Sequence, residues 1–172
     1  KNYRVNMNVI GLDGKPQVKP LIPLLKEWLE FRMQVVINRL QSRLDKILDR
    51  LHILDGLLIA YLNIDEVIAI IRSEEKPKPV LIEQFKISEI QAEAILDLKL
   101  RHLAKLEEVK IKSEAEELGR EQKSIELLLS SETRLKTYIK KELRVILEEF
   151  GDKRRCQIIS DVSSAQAFND QD

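Results

Sequence analysis

The chain has 172 residues, with 29 Lys and Arg against 29 Asp and Glu and 44% apolar side chains, the balance of a folded domain with a densely charged surface. Five Gly, five Pro, four Phe and one Trp stand among abundant Leu, Ile, Glu, Lys and Arg, so the expected fold class is all-α. A formal net charge of zero removes the basic excess of a freestanding nucleic-acid binder, Cys156 has no internal disulfide partner, and no apolar run of about 18 residues is present.

At the N-terminus Val5, Met7 and Val9 alternate with Arg4, Asn6 and Asn8, and Asp13-Gly14 is a turn signal. Residues 1–19 therefore read as one strand and a turn without a partner strand, the edge of a domain lying upstream. No Met and no leader opens the chain at Lys1, and an excised segment from a reducing compartment is expected. Pro16, Pro20 and Pro23 then punctuate the approach to a helix.

Residues 24–62 lack proline, and Met33, Ile37, Leu40, Leu44, Ile47, Leu51, Leu54, Leu58 and Tyr61 alternate in steps of four and three. This is a coiled-coil seam, and a helix of about 40 residues is a strut of about 60 Å. Asn63-Ile-Asp-Glu66 and Ser88-Glu-Ile-Gln91 have capping-box form, with Lys76-Pro-Lys-Pro79 as a breaker between them. Three short helices are expected to build a compact tip over about residues 56–103. From Leu103 a sparser seam runs through Leu106, Ile111, Ala115, Leu118, Gln122, Ile125 and Leu129, and Ser130-Ser131 breaks it. A last helix carries Leu135, Ile139, Leu143, Ile146 and Phe150 and closes at Gly151. Residues 20–152 thus form long antiparallel arms with a helical tip, and residues 153–172 form a linker or tail.

None of the five glycines stands in a phosphate-binding loop pattern, and His52 and His102 have no triad or metal-ligand spacing around them. Both histidines are expected in structural or hydrogen-bonding roles. Arg32, Arg39, Arg43, Lys46 and Arg50 share one flank of the long helix; they either pair with glutamates of the returning arm, such as Glu114, Glu117 and Glu121, or guide DNA electrostatically. At the tip, Leu57, Leu58, Tyr61, Leu62, Ile90, Ala94, Ile95 and Leu98 form either a satellite core or a self-association patch. The expected site is a two-fold dimer contact through these eight residues.

Several motifs carry a family resemblance: Arg50-Leu-His-Ile-Leu-Asp-Gly-Leu-Leu58, Asn63-Ile-Asp-Glu-Val-Ile68 with Ile71-Arg72, and Ser88-Glu-Ile-Gln-Ala-Glu-Ala-Ile-Leu96 running into Leu100-Arg-His-Leu-Ala-Lys-Leu-Glu107. Tyr3-Arg-Val-Asn6, Ile10-Gly-Leu-Asp-Gly14 and Phe150-Gly-Asp-Lys-Arg-Arg155 extend it over about residues 1–155. The sequence resembles the breakage-reunion A subunit of bacterial type II DNA topoisomerases, nearer in residues 100–107 to the topoisomerase IV pattern than to gyrase. The resemblance implies the dimeric exit gate through which a transported duplex leaves an ATP-dependent isomerase that decatenates and relaxes DNA during chromosome segregation.

It also implies that the catalytic tyrosine and its helper arginine lie upstream, since Tyr3, Tyr61 and Tyr138 do not fit that motif. Mg2+ and ATP are implied for the partner B subunit of a two-A, two-B assembly, with no cofactor, metal or catalytic residue in this segment. The implied partners are a second copy (a homodimer), double-stranded DNA and the B subunit. The implied location is cytoplasmic and chromosome-associated, with a peripheral place at the inner face of the membrane left open, and a C-terminal DNA-wrapping domain is unseen. Two other readings remain at this point: a non-enzymatic coiled-coil scaffold and a helical DNA-binding module that uses the basic row.

Overall fold

The computed structural model describes residues 6–99, 105–153 and 155, without the side chains of residues 105–107. The expectations for Tyr3 and Val5, for residues 100–104 with His102, and for the tail from Cys156 lie outside the described residues. The described part divides after Ile139 into two units.

The N-terminal strand has a partner after all. β1 (Asn8–Ile10) pairs antiparallel with β2 (Pro16–Val18), with Val9 opposite Gln17. Gly14 turns between them at φ 72°, its N–H bonded to the Gly11 carbonyl at 3.0 Å, a backbone region that glycine enters without steric cost. Pro16 disguised the second strand in the sequence, because a residue without an N–H is tolerated only at an edge or at the first position of a strand.

α1 (Leu21–Leu62) is one unbroken helix of 42 residues, about 63 Å long. Pro23 falls in its first turn, where no intrahelical N–H is required. Val36, Leu40, Leu44, Ile47, Leu54, Leu57 and Ala60 are buried along it, close to the seam that the spacing predicts. Val36 is the deep member near the start where the pattern favours Ile37. α5 (Lys105–Leu129) packs against α1. Arg43 meets Glu121 while Arg50 meets Glu114, so one chain direction rises as the other falls and the pair is antiparallel. Ile125 is buried at the seam of α5.

Between these two helices lie α2 (Ile64–Ser73), α3 (Pro77–Phe85) and α4 (Glu89–Leu96). The capping box expected at Asn63 does not form. Asn63 is a one-residue joint at φ −124°, and its side chain donates back to the Ile59 carbonyl at 2.9 Å, while Glu66 accepts from Gln84. The Ser88 box does form: Ser88 Oγ accepts from the Gln91 N–H at 3.2 Å and Gln91 Oε1 accepts from the Ser88 N–H at 2.9 Å. Pro77 is not a breaker but the first residue of α3, a position that suits its fixed φ. α3 ends with Lys86 in the left-handed region, φ 52°, a C-cap the sequence does not announce because no glycine stands there.

α6 (Glu132–Phe150) follows the break at Ser130 and Ser131. Leu135 and Ile139 are buried in the first unit; in the second, Val145, Ile146, Leu147 and Phe150 are exposed. Among the described residues no helix is long and apolar enough to cross a membrane.

Candidate functional site

The tip is built on a single apolar cluster. Leu57 and Ala60 of α1, Val67 and Ile70 of α2, Leu81 of α3, Ile87, and Ala92 and Ile95 of α4 are buried together, with Tyr61, Phe85, Ala94 and Leu98 packed against them. Four helices thus contribute to a core that none could make alone. Burial sorts the eight residues expected at the dimer contact. Leu57 and Ile95 face the tip's own core, Ile95 being only 3% exposed. Leu58, Tyr61, Ala94 and Leu98 are half-buried. Leu62 and Ile90 are 73% and 59% exposed. The exposed Ile68 and Ile71 of α2 add to the uncovered apolar surface of the tip, and the sequence pattern gives them no distinction from their buried neighbours.

A polar clasp joins the tip to the strut. Gln91, buried on α4, donates through Nε2 to the His52 carbonyl of α1 at 2.7 Å, and the His52 ring shares a 2.6 Å hydrogen bond with Ser88 Oγ. His52 therefore has the hydrogen-bonding role expected of it. The approach is close because α1 presents Gly56: a Cβ there would lie 2.6 Å from Gln91 Cβ. A buried amide is satisfied on both its oxygen and its nitrogen, which fixes α4 against α1 more specifically than apolar packing can. In the sequence, Gly56 looks like a tolerated helix glycine and Gln91 like a capping residue only.

On α3 and α4, Lys78 bridges Glu89 at 2.5 Å and Glu93 at 2.7 Å. The hydrogen bond from Lys78, with its charge, holds the Glu89 carboxyl below the ordinary range.

The basic flank of α1 is largely engaged. Arg43 grips Glu121 with Nε and Nη2 at 2.7 and 2.8 Å, and Arg50 grips Glu114 at 2.7 and 2.9 Å. These forked pairs are seven residues apart on both helices, the repeat of a coiled-coil flank. Hydrogen bonding from the guanidinium, with its charge, lowers the carboxyl of Glu114 and of Glu121, and raises the paired arginines in turn. Arg32 and Arg39 also have interactions. Lys46 makes no ion pair among the described residues. Arg43 and Arg50 of the row therefore clip α1 to α5.

Among the described residues no group of three His, Cys, Asp or Glu side chains converges as a metal site would require. Tyr61 is half-buried against the tip core and Tyr138 is half-buried on α6.

Comparison with known proteins matches residues 1–144 to the family model for the A subunit of DNA gyrase/topoisomerase IV. The chain is 55% identical to the A subunit of DNA topoisomerase 4 from Salmonella typhimurium over 172 residues, 100% of this chain and 23% of that protein. It is 59% identical to the corresponding protein from Pseudomonas aeruginosa over 159 residues, 92% of this chain and 21% of the relative. The counterpart from Neisseria gonorrhoeae is 44% identical over 154 residues, 90% of this chain and 20% of the relative. The chain spans less than a quarter of the length of these curated relatives.

Proposed function

Because the chain belongs to the family of DNA gyrase and topoisomerase IV A subunits, we propose that it forms the exit gate of a type II DNA topoisomerase, the contact that parts to release a transported duplex. The observation that carries this reading is the tip: a self-contained core, clasped to the end of a long strut, that leaves Leu62 and Ile90 uncovered. A two-fold contact brings the same patch of two copies together. Because Leu57 and Ile95 are already buried within each tip, two tips can separate without opening their cores. Such a contact suits a gate better than a zipper along α1, where Val36 to Leu54 are already engaged within the chain.

The activity proposed for the parent enzyme is ATP-dependent passage of one duplex through another, giving decatenation and relaxation on the chromosome. Its nucleophilic tyrosine belongs to a part of the parent polypeptide outside this chain, and Mg2+ and ATP belong to the B subunit. The contribution of this chain is mechanical. The clips between Arg43 and Glu121 and between Arg50 and Glu114 keep α1 and α5 in register, and the clasp at His52, Ser88 and Gln91 makes the tip move with the strut. A DNA-binding module built on the basic row has less support, since two of its five cations are already forked onto carboxylates.

The test is solution mass. By light scattering, wild-type chain at high micromolar concentration is expected to be a dimer, and Leu62→Arg with Ile90→Arg is expected to be a monomer of unchanged helicity, because an unpaired cation in the contact is strongly unfavourable. A monomeric wild type, or a dimer that survives both substitutions, overturns the reading.

A further inference from the structure

The cations that matter to DNA need not be those of the basic row. On α6, Lys140, Lys141 and Arg144 are all exposed, and none of the three makes an ion pair among the described residues. Arg144 lies four residues from Lys140 and three from Lys141, so on a helix both neighbour it, with Cβ atoms about 5–6 Å apart. At 100° per residue the three point to one side of α6, away from the stripe of Leu143, Ile146 and Phe150. Arg144 is repelled by Lys140 and by Lys141, four and three residues away on the same side of the helix. Several cations elsewhere on the chain are answered by carboxylates, Lys136 by Glu132 on the preceding turn of α6, Lys112 by Glu108, Lys78 by Glu89 and Glu93, and Arg43 and Arg50 by Glu121 and Glu114, whereas single cations such as Lys46 stand alone among the described residues. What sets α6 apart among the described residues is three unpaired cations on adjoining positions. Glu148 sits four residues beyond Arg144, within reach of it, and yet the two form no ion pair. A cluster left unanswered in a chain of zero net charge is complementary to an external polyanion.

We propose that the face of α6 formed by Lys140, Lys141 and Arg144 is a contact for the phosphate backbone of double-stranded DNA, specifically for the duplex in transit. The contact rests on the exit-gate reading for the identity of its partner, but it does not depend on where the dimer forms. Three side chains on one helical turn, two of them flexible ammonium groups, suit sequence-independent neutralisation of successive phosphates. They provide no fixed pattern of donors for reading bases. A moving duplex needs contacts of this kind, which guide it without holding one sequence.

The experiment uses the full-length parent polypeptide that carries this segment. A labelled duplex of about 40 base pairs is bound as the second duplex per dimer, after the first site is filled, between about 50 and 200 mM salt. Neutralising Lys140, Lys141 and Arg144 together to Gln is expected to reduce the log–log salt slope for this second duplex by about 2 to 3, at about 0.9 per phosphate. The advantage of wild type over variant should then shrink about 40-fold across that salt range. Arg43→Gln with Arg50→Gln is expected to leave the slope unchanged, and Lys140→Arg with Lys141→Arg is expected to retain it.

An unchanged slope in the triple Gln variant, with its thermal melt intact, overturns the proposal. So does an unchanged slope accompanied by weakened association with the B subunit, which would assign the face to an acidic protein surface instead. Light scattering of the same variants separates this proposal from the gate reading, because the triple Gln variant should remain a dimer whichever way its DNA binding falls.

Discussion

Replacing Gly56 with alanine should destabilise the chain although it puts the best helix former into the middle of a helix. The new Cβ would stand 2.6 Å from Gln91 Cβ and 2.7 Å from its Cγ, about 1 Å short of an ordinary carbon–carbon contact. Either α4 must rise from α1 or the Gln91 side chain must leave, and leaving breaks its 2.7 Å bond to the His52 carbonyl and its 2.9 Å bond from the Ser88 N–H. Overpacking costs about 1–3 kcal/mol, an orphaned buried amide costs a similar amount, and alanine returns about 0.5–1 kcal/mol of helix propensity. The balance is a loss of about 1–2 kcal/mol, or about 3–6 °C in the midpoint of a two-state melt for a chain of this size. Gly119, on α5, has nothing within 4 Å of its added Cβ, so Gly119→Ala should gain about 0.5–1 kcal/mol and melt higher. Circular dichroism melts of both variants beside wild type decide the matter. If Gly56→Ala melts at or above wild type, the close crossing of α1 and α4 is not what holds the tip.

Leu54→Ala removes a fully buried side chain of α1 and should cost about 2–5 kcal/mol by urea denaturation; a loss below about 1 kcal/mol would argue against a packed seam there. Ser88→Ala removes the N-cap of α4 and the partner of His52, and a cost of about 1 kcal/mol is expected. Faster amide exchange across α4 would show it, and unchanged exchange would count against the cap. The folded-state pKa values of Glu114 and Glu121 lie below their unfolded values because Arg50 and Arg43 bond the ionised form. Their stabilisation is therefore present above the ordinary carboxylate pKa of about 4.3 and is lost as pH falls through the lower folded values. Arg50→Gln should flatten part of the decline in melting temperature between about pH 5 and pH 2.5, and an identical decline in both proteins would refute the pairing.

What the sequence determined by itself was the part set by local periodicity and capping chemistry. The 4-3 spacing from Met33 to Tyr61 required a long helix, and Ser88 with Gln91 announced the start of α4, because both signals act between residues three or four apart. Charges at matched heptad flanks also made the pairing of Arg43 and Arg50 with Glu121 and Glu114 a legible alternative. Where a choice depended on residues far apart in the chain, only the tertiary structure decided it. Asn63 had the form of a cap and became a joint bonded to Ile59, since a single residue between two helices can serve only one of them. β2 was hidden behind Pro16 until β1 supplied its partner. Ile90 and Ile95 belong to one apolar helix in sequence, yet one is exposed and the other buried. Which side of α4 meets α1 is settled by the missing side chain at Gly56 and the Gln91 amide that closes over it, a contact between segments that the sequence keeps well apart.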